Sequence, residues 1–191
     1  MDDVDTPLNV PVLLKRRIQA AVIGPIHAEM VAALGRERAH AILDGAIRKA
    51  AIAEGQAFAA KDGPTTMASF IKLYELWTHD GALEIDILEA GDAVFNFNVT
   101  RCKYAETYKA MGLGHIGHLM SCNRDGTFCQ GYDPNIELVR EHTIMDGSEC
   151  CTFRYSYRQA STDAASSNAG RFSKTSASDM LDEVMLESSS K

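Results

Sequence analysis

Between residues 11 and 60 apolar side chains recur at helical spacing. Ile26, Met30 and Leu34 stand four apart, and Ile42, Leu43, Ala46, Ile47 and Ala50 continue the stripe beyond Gly35. The pattern predicts helices that turn this stripe to a core, with Pro25, which lacks an N–H, breaking or kinking the first of them. A further helix is predicted over "KDGPTTMASFIKLYELW", with Pro64 in its first turn and Met67, Phe70, Leu73, Tyr74 and Trp77 on one face; "THDG" ends it.

The period then changes to two. Leu83, Ile85 and Ile87 alternate with Glu84, Asp86 and Leu88, and after a break at "EAGD" Phe95, Phe97 and Val99 alternate with Asn96, Asn98 and Thr100, which predicts a half-buried hairpin. Helical spacing returns over 101–124 around the glycine-rich "MGLGHIG", and "DGTFCQGYDPN" has the composition of a loop. "IELVREHTIM" and "CCTFRYSYR" read as two more strands around a turn at "DGSE". The expected fold is therefore α+β: N-terminal helices packed on a mostly antiparallel four-stranded sheet made of two hairpins, with a helical pair between them.

From about residue 160 the pattern dissolves into a serine-rich, aliphatic-poor stretch. The expectation is one domain over 1–158 and a tail over 159–191, in which "SASDMLDEVMLES" has the makings of a short helix capped by Ser178, with Met180, Leu181, Val184 and Met185 docking on a neighbour. A formal charge of -7 with 46% hydrophobic residues describes an acidic globular chain with no basic stripe for nucleic acid. No leader or 18-residue apolar span is evident, so the expectation is a cytoplasmic protein that binds neither nucleic acid nor membrane. A helical N-terminal half suits a homo-oligomer.

Five cysteines in such a setting point to buried thiols, metal ligands or a nucleophile rather than to disulfides. Most of the chemistry falls in "NVTRCKYAETYKAMGLGHIGHLMSCNRD". Asn96, Asn98 and Thr100 form a hydrogen-bonding row that leads into the next helix. Cys102 is expected in the first turn of that helix, where the dipole and the neighbouring Arg101 and Lys103 favour a thiolate. Tyr104, Glu106 and Tyr108 follow, with Glu106 four residues from Cys102 and so on its face. An inert buried cysteine beside a solvated glutamate fits the same spacing.

Farther on, His115, His118, Cys122 and Asp125 are spaced to share a helical face, a row able to bind zinc or move protons. The gaps among Cys102, Cys122, Cys129 and the Cys150/Cys151 pair fit no close-pair zinc pattern. His27, His40, His79 and His142 have no supporting neighbours in sequence. In the last strand Cys151, Phe153, Tyr155 and Tyr157 share one face, and Cys150, Thr152, Arg154 and Arg158 the other. Arg140 and Thr143 are expected in the strand before it, and an arginine fork is a common way to hold a small acid.

The segments "FNVTRCKYAETY", "GLGHIGHLMSCNRD", "GYDP" and "TIMDGSECCTFRY", in that order, resemble the L-2-amino-thiazoline-4-carboxylic acid hydrolase family over residues 14–158. The most specific parts are Cys102 in "TRCKYAE", Cys122 in "SCNRD", Cys151 in "CTFRY", and Asp125 three residues after the second cysteine. Cys150 departs from the family pattern, and the serine-rich tail has no counterpart in it.

The resemblance implies a hydrolase that opens a cyclic isothiourea or a related cyclic amide towards a carbamoyl-cysteine, with no cofactor. Cys102 is the expected nucleophile and Asp125 the acid/base, with Cys122 and Cys151 flanking the nucleophile or serving in its place. Asn98, Thr100, Tyr104, Glu106, His118, Arg140, Thr143 and Arg154 are the expected substrate contacts, Arg140 or Arg154 taking the carboxylate. Two other readings stand beside this one: a zinc enzyme or zinc-stabilised protein built on Cys102, His118, Cys122 and Cys151, and a non-enzymatic small-molecule binding protein.

Overall fold

The computed structural model describes residues 10–158. The tail, with the helix expected after Ser178, lies outside the described residues.

Two long helices open the fold, α1 (Val12–Leu34) and α2 (Arg36–Asp62), hinged at Gly35, whose φ of 80° lies in the region that favours glycine. α1 runs without a break through Pro25. Pro25 is exposed, so water can reach the carbonyl its ring leaves without a donor. The buried face of α1 differs from the expectation: it consists of Arg16, Ala20, Gly24 and His27, while Ile26 is 54% exposed and Leu14, Ile18, Val22 and Leu34 are exposed with it. Two inward commitments fix this rotation. Arg16 reaches a carboxylate on α2, and Gly24 admits Leu113 so closely that a Cβ would stand 3.0 Å from its Cδ2. On α2 the expected Leu43 and Ile47 are buried, together with Ala39 and Ala51, whereas Ile42 faces outward.

Helix α3 (Met67–Thr78) begins three residues later than Pro64 suggested. Thr66 and Ser69 exchange side-chain to backbone hydrogen bonds of 2.9 and 3.1 Å in a capping box, which fixes its start. Its Met67, Phe70, Leu73 and Tyr74 are buried as predicted.

The sheet is antiparallel throughout, in the order β1-β2-β4-β3. Its strands are β1 (Leu83–Ala90), β2 (Val94–Cys102), β3 (Ile136–Val139) and β4 (Cys151–Tyr157). Phe97 pairs with Phe153, and their rings stack at 4.8 Å. The strand expected over 136–145 stops at Val139, because Arg140 turns inward to Asp125. The backbone N–H groups of Glu141 and His142 then both donate to Thr152 Oγ1, and a 3-10 turn over Ile144–Asp146 replaces the tight hairpin expected at "DGSE".

Between the hairpins stand α4 (Lys103–Ala110), α5 (Gly114–Gly117), a π turn (His118–Cys122) and α6 (Asn123–Tyr132). The loop expected at "DGTFCQGYDPN" is thus mostly helix, with Thr127, Phe128, Cys129 and Tyr132 buried. Its glycines serve packing rather than turning. A Cβ on Gly131 would stand 2.0 Å from the Ile52 carbonyl oxygen, and one on Gly55 2.3 Å from that of Phe128, so α2 and α6 meet backbone to backbone.

Two apolar clusters result. One joins α3, the sheet and Phe128 and Tyr132 of α6; the other joins α1, α2, α4 and the π turn around Leu43, Tyr108 and Met120. Leu83, Cys102 and Ile144 pack against both.

Candidate active site

Where the clusters meet there is a cavity of about 60 Å³, lined among others by Cys102, Cys122, Asp125, Cys151, Tyr104 and Arg140. On the same measure one water needs roughly 10–15 Å³, so the space suits one small ring. The three motif cysteines and the motif aspartate, as much as 49 positions apart in sequence, thus surround one space.

Each side chain arrives by a different local device. Cys102 ends β2 and is the N-cap of α4: its Sγ accepts the Ala105 N–H at 3.4 Å. Burial nevertheless pushes its thiol up to about 11, against the backbone hydrogen bonds that favour the thiolate. Arg101 and Lys103 do not offset this, contrary to the sequence expectation. Arg101 lies outside, bonded to Glu106 and Glu84, and Lys103 Nζ donates to the Asp80 carbonyl.

Cys122 closes the π turn, in which the Asn123 N–H reaches back to the His118 carbonyl. Burial, with the charge of Asp125 next, raises its pKa. Cys151 opens β4, and its Sγ accepts the Ile144 N–H at 3.2 Å. Burial raises this thiol too, opposed by that N–H and by Arg140. All five cysteines are free thiols. Cys129 lies fully buried on the inner face of α6, its Sγ donating to the Asp125 carbonyl at 3.5 Å, and Cys150 precedes β4 away from the cavity lining.

Asp125 is the charged group common to the thiols. Arg140 donates to its carboxylate through Nη1 and to the Cys122 carbonyl through Nη2 at 2.9 Å, which ties the segment after β3 to the start of α6. Burial raises the Asp125 pKa despite the opposing pull of Arg140.

The remaining expected contacts are scattered. Tyr104 lines the cavity, its hydroxyl donating to the Trp77 carbonyl at 3.3 Å. Asn98 and Arg154 bind each other at 2.9 Å on the other face of the sheet, where Arg154 also donates to the Phe97 and Phe153 carbonyls. Thr100 donates to the Glu84 carbonyl, Glu106 is held by Arg101, and Thr143 caps the 3-10 turn through Asp146. His118 does not line the cavity; it sits near His40, whose pKa is lowered by burial first and by His118 next. The row of His115, His118, Cys122 and Asp125 is therefore divided, with only its last two members at the cavity. Among the described residues no three His, Cys, Asp or Glu side chains stand where they could hold a metal ion.

The sequence reading missed two arginines at the cavity wall. Arg16 of α1 is 4% exposed and Arg124 of α6 is 8% exposed, and both donate to the same oxygen, Glu54 Oε2 on α2, at 2.9 and 2.5 Å. Burial would raise the Glu54 pKa, but Arg16, Lys15 and Arg124 hold it at about 2. Arg124 stood inside the quoted "SCNRD", the one signal that could have found it. Tyr74, Trp77, Leu83, Val99, Ser121, Met145 and Phe153 make up the rest of the lining.

No helix among the described residues is long and apolar enough to cross a membrane. Among solved structures, the phenol-responsive sensory domain of the transcription activator PoxR with phenol is similar at 16% identity and a TM-score of 0.46, over 76% of this chain and 78% of that one. No curated protein matches. The family model for L-2-amino-thiazoline-4-carboxylic acid hydrolase matches residues 15–155, which take in all three motif cysteines, Asp125 and both arginines on Glu54. The chain belongs to the L-2-amino-thiazoline-4-carboxylic acid hydrolase family.

Proposed function

We propose that this chain is a thiol hydrolase that opens a small cyclic isothiourea or related cyclic amide, 2-amino-thiazoline-4-carboxylate being the first substrate to test. The observation that carries the reading is the convergence of Cys102, Cys122, Cys151 and Asp125 on one cavity of single-ring size. Family membership supports the reaction class.

The chemistry starts from protonated thiols, since burial holds all three up. Asp125 takes the proton from the attacking sulfur. An isothiourea is basic, and its protonated amidine brings a positive charge beside Asp125 and the nascent thiolate. The sulfur of Cys102, placed at a helix N-terminus, attacks C2 to give a tetrahedral adduct. Asp125 then returns the proton to the departing ring atom, so the ring bond breaks and a thiol-bound intermediate remains. Water adds to that carbon and Cys102 leaves, which releases the carbamoyl product and restores the thiol.

Incubating the protein with 2-amino-thiazoline-4-carboxylate and related cyclic ureas and lactams, with mass detection of products, tests this. Ring-opened product from the wild type, with a loss of at least 10³-fold in Cys102→Ser, is the expected result. Equal activity in Cys102→Ser together with loss in Cys151→Ser moves the nucleophile to Cys151.

One observation favours a second reading. Thiols held in the protonated form suit a pocket that binds without reacting. Saturable binding of these rings with no product from any of them supports that binding module.

A further inference from the structure

The cavity wall carries more positive than negative charge. Among the described residues, Arg16, Arg124 and Arg140 of its lining are answered by two carboxylates, Asp125 of the lining and Glu54, which binds Arg16 and Arg124; Arg140 is committed to Asp125. Glu54 alone therefore answers two buried guanidiniums, and from the outer side it also accepts Lys15 at 2.7 Å. A buried charge without a counter-charge is costly, and a fold that keeps one at a cavity has a use for it.

The hydrogen bonding agrees. Arg124 spends only Nη2 on Glu54, and Arg16 spends Nη2 on Glu54 and Nη1 on Gln19. The Nε of each, and Nη1 of Arg124, have no hydrogen-bond partner among the described residues, yet none of them is among the sealed-off buried atoms lacking a partner. They retain donors for a ligand in the cavity, and a fork of two N–H groups matches a carboxylate. Three helices, α1, α2 and α6, hold this pair in place, with Glu54 between the arginines.

We propose that Arg16 and Arg124 form an anion subsite for the carboxylate of the substrate, with Glu54 as the positioning residue that keeps the two guanidiniums side by side. The assignment rests on the hydrolase reading only in taking the bound ring to be the one that is opened. It moves carboxylate recognition from Arg140 and Arg154 to residues on the helical layer. The ring is thereby placed with its acid group towards α1 and its C2 towards the cysteines.

Equilibrium binding without turnover tests it, using 2-oxothiazolidine-4-carboxylate and its carboxamide as probes. On the wild type the acid should bind at least tenfold tighter than the amide. Arg124→Met should abolish that preference while changing amide binding little. Arg16 and Lys15 still neutralise Glu54 in that variant, so it is expected to fold, which its circular dichroism spectrum checks. Arg140→Met should keep the preference.

Equal binding of acid and amide by the wild type, or a preference that survives Arg124→Met, overturns the subsite. So does a preference lost in Arg140→Met alone. Failure of the hydrolase reading looks different: the acid preference and its loss in Arg124→Met persist, but no ring is opened.

Discussion

Arg140 holds Asp125 with one nitrogen and the Cys122 carbonyl with the other, so a single guanidinium sets both the acid and one end of the π turn. Asp125→Asn keeps an acceptor for Arg140 but removes the group proposed to move the proton. Its activity should fall about 10²–10⁴-fold while the circular dichroism spectrum stays that of the wild type. Activity within a fewfold of wild type would remove Asp125 from the chemistry.

Cys102 should behave as a slow thiol in the free protein. With its pKa pushed up to about 11, the thiolate fraction grows roughly tenfold per pH step below that value. Alkylation of Cys102 by iodoacetamide, followed by peptide mass analysis, should rise steadily from pH 7 to 10. A plateau near pH 7 would reveal a thiol already activated at rest.

His27 and His40 should make the fold acid-sensitive. Their rings stand 5.1 Å apart, His115 faces His27 at 6.1 Å, and the buried Nε2 atoms of His27 and His40 have no hydrogen-bond partner among the described residues. Burial, then the neighbouring histidines, lowers the His27 pKa; burial, then His118, Arg36 and His115, lowers that of His40. Below about 6.5 the unfolded chain takes up protons that the native chain refuses, so stability falls as pH drops from there towards the lowered native values. Urea unfolding at pH 7.5 and pH 5 should show this loss in the wild type and a smaller one in His27→Leu. Identical losses would place the acid sensitivity elsewhere.

Gly131→Ala should destabilise despite being a favourable change for a helix. Alanine in place of glycine brings about 1 kcal/mol through helix propensity. The new Cβ would meet the Ile52 carbonyl oxygen at 2.0 Å, backbone that cannot step aside. Overpacking costs typically about 1–3 kcal/mol, and this contact belongs at or above the upper end. Chemical denaturation of Gly131→Ala against Gly45→Ala, where no atom among the described residues would lie within 4 Å of the new Cβ, measures the difference.

The sheet and the cysteine set could be read from the sequence because both depend on local information. Period-two alternation gave β1, β2 and β4, and the cysteines stand in recognisable contexts. What could not be read depended on partners remote in sequence. Glycine and asparagine around Phe128 have loop composition, and only the approach of α2 turns them into a helix that needs glycine. Arg16 and Arg124 are 38 and 70 positions from Glu54, so nothing near either one marks it as a cavity residue. The same ion pair rolls the apolar row of α1 outward against its periodicity. The expected contacts from Asn98, Thr100 and Arg154 failed because alternation says which residues share a face of the sheet but not which face is hollow.

The cavity sits at the joint between two apolar clusters, with Tyr74, Val99 and Phe153 on one side and Tyr104 and Met145 on the other. A molecule lodged there acts as mortar between two courses of brick: it adds cohesion to both halves of the interior at once. Because a bound ring would touch both clusters, its binding is expected to raise the unfolding midpoint of the whole described domain rather than of one half.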